Sequence, residues 1–217
     1  DDIVGLNRAF VYAGTRQIYG RPQTLPVDET HPLAPADVNG INKISGEFYH
    51  LVYHQVYKIR ACSLRLTNTY GPRQSARAII PTIISQITDG RKTIKLGSLS
   101  PTRDMNFVKD TARGFLLASK SAKAGGEVIN LGSGKEISIG NLAYLIADLM
   151  KKKIRLETEK ERVRPQKSEV ERLLADNIKA SSLLGWKPQY PLEKGLRETI
   201  SWFAKNRSLY KPGIYNV

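Results

Sequence analysis

The chain has 217 residues, of which 41% are hydrophobic and another 17 are glycine. This composition is that of an ordinary folded protein and excludes collagen-like and low-complexity sequences. A chain of this length can bury roughly 70% of its unfolded surface, so it can form a sizeable core in one or two domains.

Basic residues exceed acidic ones by 34 to 20, which gives a net charge of +14. The excess is spread along the chain, and its densest stretch, 151–172, mixes lysines and arginines with glutamates, as a solvated surface does. No zinc-finger spacing, basic-zipper heptad or aromatic RNA-binding motif accompanies it. We therefore expect no nucleic-acid partner, and we expect the basic charge to serve small phosphorylated ligands or no specific ligand.

The cysteine content and the first residues of the chain both favour a location in the cytoplasm. Cys62 is the only cysteine, so no disulfide can form within the chain, and this favours a reducing environment. Residues 1–4 carry acid where a signal peptide would carry base, and no apolar run reaches 18 residues. We expect a cytoplasmic protein with no membrane partner.

The apolar pattern in the first third of the chain predicts alternating strands and helices. Residues 9–13 are predicted to form a buried strand that runs into a polar loop at 14–17. After a loop rich in proline and acid at 21–37, apolar residues recur every three or four positions and predict a helix from about 39 to 57. The next predicted strand is 61–66. This order is typical of a parallel α/β sheet.

The rest of the chain is predicted to contain shorter elements, with no internal repeat and no flexible linker. These are a helix over 79–87, strands over 93–96 and 128–131, a helix that begins after an N-cap at Ser138, and a final helix over 192–203. Because no linker separates them, any second domain must be interleaved with the first.

Seven stretches follow one another in an order that is known from one enzyme family. They are FVYAGTRQIYG (10–20), DVNGINKISGE (37–47), LRLTNTYGP (64–72), PTRDMNFVKDTARGF (101–115), EVINLGSG (127–134), LLADNIKASSLLGWKP (173–188) and LEKGLRETISWF (192–203). Together they resemble the extended short-chain dehydrogenase/reductase family, the NAD-dependent nucleotide-sugar epimerases and dehydratases. The C-terminal two thirds, with 70–86 and 164–176, look closest to the 4,6-dehydratases of the legionaminic-acid pathway.

The resemblance implies an α/β fold with a partial Rossmann-type parallel sheet and a smaller, interleaved α/β lobe that binds the substrate. Residues 1–72 would be the C-terminal part of the NAD-binding domain, and residues 73–217 would be mainly the nucleotide-sugar lobe with returning Rossmann elements. The implied cofactor is NAD, and the implied substrate is a nucleotide diphosphate sugar. The implied partner is a second copy of the chain, because the 39–57 helix usually builds the four-helix bundle of a dimer in this family.

The Gly-rich turn that binds the cofactor pyrophosphate in this family is not found in the sequence. Family members open with a strand, a GxxGxxG turn and a helix. The glycines at 125–126 and 132–134 have a different spacing and lie late in the chain. We therefore expect the N-terminal cofactor half to be absent, as in a fragment or one half of a split protein.

The family's catalytic pair is Tyr-x-x-x-Lys on one helix, in which the phenol exchanges a proton with the substrate. The matching residues here are Asn39 and Lys43. Asn39 has no proton to exchange near neutral pH, so it would either bond a sugar hydroxyl or cap the helix. Lys43 would keep the family's contact with the nicotinamide ribose. Thr15, at the family's Ser/Thr position, would bond the sugar oxygen that is oxidised.

Two reactions remain open after the oxidation at C4 that the resemblance implies. The best-known dehydratases place an Asp-Glu pair directly after this threonine, whereas Arg16 and Gln17 stand here and cannot act as that acid–base pair. This favours epimerisation over dehydration. His31 could replace the missing base. The alternative is a catalytically silent nucleotide-sugar-binding module, because both the tyrosine and the Gly-rich turn are missing.

Three residues match the family's contacts with the diphosphate. They are Asn68, Arg103 and Arg164, and the planar guanidinium suits phosphate oxygens. His50 and His54 are four residues apart on the predicted 39–57 helix, but no third ligand is evident, so we expect no metal site.

Overall fold

The computed structural model describes residues 9–163 and 170–210. Its strands are β1 (Ala9–Thr15), β2 (Arg60–Leu66), β3 (Asn68–Tyr70), β4 (Thr93–Leu96), β5 (Thr102–Phe107), β6 (Val128–Leu131), β7 (Glu136–Ser138) and β8 (Arg155–Thr158). Its α-helices are α1 (Val38–Tyr57), α2 (Ile79–Thr88), α3 (Val108–Lys120), α4 (Ile139–Leu149), α5 (Ile178–Leu184) and α6 (Leu192–Lys205). None of the helices in these ranges is long and apolar enough to cross a membrane.

The strands form three sheets. β1, β2 and β6 make a parallel sheet in that order, and α1 connects the first two strands. In the second sheet, β5 pairs in parallel with β3 and antiparallel with β7, and the third sheet pairs β4 with β8 in parallel. The predicted α/β fold with a Rossmann-type parallel sheet is confirmed, and β6 returns from the second half of the chain to join that sheet.

Two hydrophobic clusters support these sheets. The larger one packs α2, α4 and α6 against β4 and β5, and the isoleucines of the predicted 79–87 helix lie in it. The smaller one lies beneath the parallel sheet, where Leu64, Ile129 and Leu131 contact apolar residues of α3 and α5 and the buried Trp186. The Oγ of Ser138 accepts a hydrogen bond from the Asn141 N–H at 3.1 Å, so the predicted N-cap of α4 is confirmed.

β1 differs from its prediction. It extends to Thr15 rather than ending at residue 13, and it is not a buried strand, since Phe10 is 42% exposed. Within the described residues β1 pairs with β2 alone, so it is an edge strand, and one of its edges has no neighbouring strand to cover it.

Much of the apolar stripe of α1 is exposed. Of the residues in this helix only Gly40 and Glu47 are buried, although α1 packs on β1 and β2. Phe48, Tyr49, Tyr53 and Tyr57 of this helix are each half exposed or more. Ile44 packs against the buried residues Ile18, Tyr19 and Val27, but most of the stripe lies on the outer surface of the described chain.

The strand β5 was not predicted from the sequence, because most residues in 102–107 are polar. In β5, the buried side chains of Arg103 and Asp104 have hydrogen-bond partners, and buried Asn106 donates from Nδ2 to Thr111, whereas its Oδ1 has no partner among the described residues. For Asp104, burial nevertheless raises the pKa, and hydrogen bonds from the turn at 133–134 oppose that shift.

Candidate active site

Three of the residues singled out from the sequence meet where β1 ends and α1 begins. Thr15 is the last residue of β1, and a 3-10 turn over 16–19 follows it. Lys43, in the second turn of α1, donates a hydrogen bond from Nζ to the carbonyl oxygen of Ala13 at 2.8 Å. Its ammonium also lies 5.1 Å from the ring centroid of Tyr12. In open α/β sheets, ligands bind at the carboxyl ends of the strands, which is where this cluster lies.

Gln17 connects the members of this cluster. Its backbone N–H donates to Thr15 Oγ1 at 3.3 Å. The Thr15 hydroxyl donates to Gln17 Oε1 at 3.4 Å. Asn39 donates from Nδ2 to the same Oε1. On its other side, Gln17 donates from Nε2 to Asp37 Oδ2 at 2.7 Å. Gln17 thus joins Thr15, Asn39 and Asp37 in one hydrogen-bonded set.

The N-cap of α1 is Asp37 and not Asn39, the residue considered for that role from the sequence. Asp37 is the N-cap of α1, and its Oδ1 accepts from the Gly40 N–H at 2.7 Å. Asn39 lies inside the first turn with an exposed side chain, so the N-cap role considered for Asn39 is wrong. The signal that was missed is an aspartate three residues before the backbone N–H that it caps, which is a common N-cap spacing.

His31 is held in its own loop. Its side chain is buried, Nε2 accepts from the Gln23 N–H at 2.9 Å, and Nδ1 lies 2.9 Å from the carbonyl oxygen of Pro32. The ring also packs edge-on against Tyr19, with 5.6 Å between the centroids. Both ring nitrogens are therefore occupied by the backbone, and these contacts leave neither nitrogen to act as the replacement base.

A buried polar network lies beneath the cluster and was not anticipated. Glu47 of α1 accepts hydrogen bonds from Ser63 and Arg65 of β2, and Arg65 also donates to the hydroxyl of Tyr19 at 2.8 Å. Tyr19 donates to Asn130 of β6 at 2.8 Å. Burial raises the pKa of Tyr19 to about 12, although the Arg65 charge opposes the shift. The network connects α1 and the turn after Thr15 to the centre of the sheet.

The proposed diphosphate contacts lie on the second sheet. Asn68 pairs in register with Met105, two residues from Arg103, so the two residues occupy adjacent strands. The Oδ1 of Asn68 is buried and has no hydrogen-bond partner among the described residues. The Arg103 guanidinium is also buried, and its Nη1 donates to the carbonyl oxygens of Thr102 and Val170 at 2.7 and 2.8 Å. Arg164 lies outside the described residues.

The two histidines of α1 bond to the backbone. His50 Nδ1 lies 2.8 Å from the carbonyl oxygen of Gly46, and His54 Nδ1 lies 2.8 Å from that of Ile59. Within 9–163 and 170–210, no three His, Cys, Asp or Glu side chains are grouped so that they could hold a metal ion.

Comparisons with known proteins agree with this architecture. A UDP-glucose 4-epimerase from Mycolicibacterium smegmatis is 32% identical over 209 residues, which are 95% of this chain and 65% of that protein. An epimerase structure from Methanothermobacter thermautotrophicus matches with a TM-score of 0.86 and 29% identity, over 94% of this chain and 61% of that one. The structure of a UDP-glucuronic acid 4-epimerase from Bacillus cereus, in complex with UDP-glucuronic acid and NAD, matches with a TM-score of 0.83 and 29% identity, over 93% and 62%.

The chain thus spans less than two thirds of the length of these relatives. The family model described as GDP-mannose 4,6 dehydratase matches residues 3–199, which is most of the chain. The chain therefore belongs to the GDP-mannose 4,6 dehydratase family.

Proposed function

We propose that this chain carries the catalytic helix and the substrate-binding part of an NAD-dependent enzyme that oxidises a nucleotide diphosphate sugar transiently at C4. The observation that carries the proposal is the position of Thr15, Asn39 and Lys43. Thr15 and Asn39 both bond Gln17, and Lys43 bonds the carbonyl two residues before Thr15. Three positions that the family resemblance assigns to catalysis thus meet at one end of the parallel sheet.

The residues at this end of the sheet fit the nicotinamide end of a dinucleotide. An ammonium group has three N–H donors, and Lys43 uses one of them on Ala13, so two remain for the hydroxyls of a ribose. When bound, the cofactor would accept a hydride from the sugar. The 217 residues contain no GxxGxxG turn for the pyrophosphate, so the chain's own contribution is limited to the nicotinamide end.

Epimerisation is the favoured reaction. Arg16 and Gln17 occupy the positions where an acid pair would eliminate water, and the side-chain amide of Gln17 hydrogen-bonds Asp37, Asn39 and Thr15. Neither side chain has a proton to exchange at neutral pH. The likeness of 70–86 and 164–176 to the 4,6-dehydratases of the legionaminic-acid pathway remains a prediction about the sugar.

Asn68, Arg103 and Arg164 are proposed to bind the diphosphate. The partnerless Oδ1 of Asn68 supports this role, because a buried amide normally has its hydrogen bonds satisfied, and a rotation of the side chain would present its NH2 group to a phosphate oxygen. Arg103 lies on the adjacent strand and would supply charge.

A second copy of the chain is the proposed partner. The exposed residues Phe48, Tyr49, Val52 and Tyr53 of α1 would be buried if two such helices packed against each other in a homodimer. Sedimentation velocity tests this proposal, and Tyr49→Glu should convert a dimer to a monomer because it would bury an unpaired charge. The proposed location is the cytoplasm, where Cys62 would remain reduced.

Calorimetric titration of the chain with UDP, GDP, dTDP and their glucose conjugates tests the proposed function. We expect one nucleotide to bind and its sugar conjugate to bind more tightly, because the sugar adds contacts at Thr15 and Asn39. The absence of binding by every nucleotide and conjugate would overturn the proposal. The catalytically silent module predicts the same binding, and it would be identified by a lack of turnover when the chain is joined to a relative's cofactor-binding segment.

A further inference from the structure

We propose that Asp37, acting through Gln17, fixes the hydrogen-bond polarity of Thr15 and Asn39, so that the site accepts a hydrogen bond from the sugar and selects an alcohol over a ketone. The inference rests on the proposed function, which brings a sugar oxygen to these two side chains. It adds Asp37 and Gln17 as residues that determine specificity. Neither of them needs to exchange a proton for this purpose.

The polarity begins at the carboxylate of Asp37. Its Oδ1 accepts from the Gly40 N–H and its Oδ2 accepts from Gln17 Nε2, both at 2.7 Å. An ionised carboxylate can only accept hydrogen bonds, and the N-terminus of α1 favours its negative charge. The side-chain amide of Gln17 must therefore turn its NH2 group toward Asp37, because the opposite orientation would place two oxygen atoms against each other.

Gln17 passes the polarity on to Thr15 and Asn39. With its NH2 group on Asp37, Gln17 turns Oε1 toward both residues and accepts from the Thr15 hydroxyl at 3.4 Å and from Asn39 Nδ2. A threonine hydroxyl has a single proton, so Thr15 then has only lone pairs to offer to a ligand. Asn39 likewise directs Oδ1 away from Gln17, and one of its two N–H bonds is used.

A sugar hydroxyl matches this arrangement, whereas a ketone does not. A hydroxyl can donate to the Thr15 lone pair or to Asn39 Oδ1. A carbonyl oxygen or a fluorine atom has no proton for these two acceptors. It could accept only from the second N–H of Asn39 or from Lys43, which a hydroxyl can use equally well, so it forms one hydrogen bond fewer than the alcohol. The family's tyrosine can donate back once it has taken a proton, but Asn39 Oδ1 cannot. The site thus stabilises the alcohol form of the substrate relative to the oxidised form.

The test compares UDP-glucose with its 4-deoxy-4-fluoro analogue and with the 4-keto sugar nucleotide, by calorimetric titration of the chain. The alcohol forms one hydrogen bond more than either analogue. From the usual net strength of such a bond, we expect it to bind about three- to tenfold more tightly. UDP alone is the reference for the nucleotide end. If none of UDP, GDP, dTDP and their glucose conjugates binds, the proposed function fails and the inference fails with it; if another nucleotide binds in place of UDP, its three sugar conjugates are compared instead. If UDP-glucose binds but all three sugar nucleotides have equal affinity, only the inference is overturned.

Asp37→Asn tests the origin of the polarity. Asparagine caps helices as well as aspartate does, so α1 should be retained, but with its one amide oxygen on the Gly40 N–H it turns its NH2 group toward Gln17. Gln17 is then free to turn over, and the preference for the alcohol should fall to less than about twofold. Loss of the Asp37 charge changes the affinity for every nucleotide alike, so the ratio of affinities is the informative quantity.

Two further variants complete the experiment. Gln17→Met removes the amide while keeping a side chain of similar length, and it should also abolish the preference. Asp28→Asn is the matched control, because Asp28 lies in the same segment before α1 but accepts hydrogen bonds from Thr30. We expect the control to keep the full preference. A preference that survives both Asp37→Asn and Gln17→Met would overturn the inference.

Discussion

Glu47, one helical turn beyond Lys43 on α1, binds the guanidinium of Arg65 on β2, with 2.6 Å between Oε1 and Nη2. Both side chains are at most 5% exposed, and Arg65 Nε lies 3.1 Å from the other carboxylate oxygen, so the contact is bidentate. Two opposite charges buried in this geometry fix both the rotation and the position of α1 on the sheet. Asn39 and Lys43 acquire their positions at the strand end through this contact.

Removal of one partner should therefore destabilise the fold strongly. Glu47→Ala leaves the Arg65 charge buried without its counter-ion, and we expect a loss of about 3–5 kcal/mol in the free energy of unfolding, measured with urea. Glu198→Ala is the control, since it breaks a pair with the exposed Lys109, which water screens, and it should cost far less. Equal losses in the two variants would show that the buried pair does not stabilise α1.

Cys62 should make the stability fall at alkaline pH. Burial in β2 raises the pKa of this thiol to about 11 from a usual value of 9.0. Because the folded-state pKa is the higher one, the stability that the neutral thiol contributes is complete below pH 9 and is lost as the pH rises toward 11. We expect Cys62→Ala to reduce the decline over this window by about 1–3 kcal/mol, measured by urea unfolding at several pH values. An unchanged decline would assign it to other groups, such as Tyr19.

The sequence predicts the parts of the site that depend on motif position, and it misses the parts that depend on contacts between distant segments. Thr15 and Lys43 lie together as their motifs require, because β1 and α1 are consecutive elements of a parallel sheet. The Arg65 guanidinium, in contrast, is buried because Glu47 and Tyr19 reach it from other elements, and no local pattern reveals this. The apolar stripe of α1 has a clear helical period, but the period cannot tell a surface for a partner from a core.

Arg103 and Arg164 are predicted to bind the substrate diphosphate together. Each charge-assisted contact should be worth about 1.5–3 kcal/mol, so Arg103→Ala and Arg164→Ala should each weaken UDP binding about 10- to 150-fold in calorimetric titration. Arg207→Ala is the control, because Arg207 is exposed and pairs with Asp89. Arg103 also donates to two backbone carbonyls, so its removal could destabilise the fold. The thermal unfolding of the Arg103→Ala variant should therefore be measured in parallel. Unchanged affinity in both variants would contradict the prediction.

NAD should bind weakly to this chain alone. The pyrophosphate of a dinucleotide is normally held by backbone N–H groups at a helix N-terminus after a Gly-rich turn, and these 217 residues contain no such turn. Lys43 can reach only the nicotinamide ribose. We expect a dissociation constant above about 1 mM by fluorescence titration, which corresponds to less than about 4 kcal/mol of binding free energy. Micromolar binding would show that another part of the chain holds the pyrophosphate.

Asn39→Tyr should restore the acid–base group that the family resemblance leads one to expect. Asn39 is exposed in the first turn of α1, so the larger side chain can be accommodated, and the introduced phenol would lie one turn before the Lys43 ammonium. A nearby positive charge favours phenolate and should lower the pKa of the introduced phenol below its usual value near 10. Ultraviolet difference titration against the parent chain measures this shift, and it should be lost when Lys43→Met is added.

The same variant tests the role of Asn39 in turnover. In a polypeptide joined to a relative's cofactor-binding segment, Asn39→Tyr should accelerate sugar oxidation, measured as NADH formation from UDP-sugars, by ~10²–10⁴-fold, because a positioned base contributes that much. The parent chain should be slow, and His31→Gln should leave its rate unchanged, since both ring nitrogens of His31 are bound to the backbone. Rapid turnover by the parent, with no gain from Asn39→Tyr, would mean that the proton leaves the sugar through a group other than the residue at position 39.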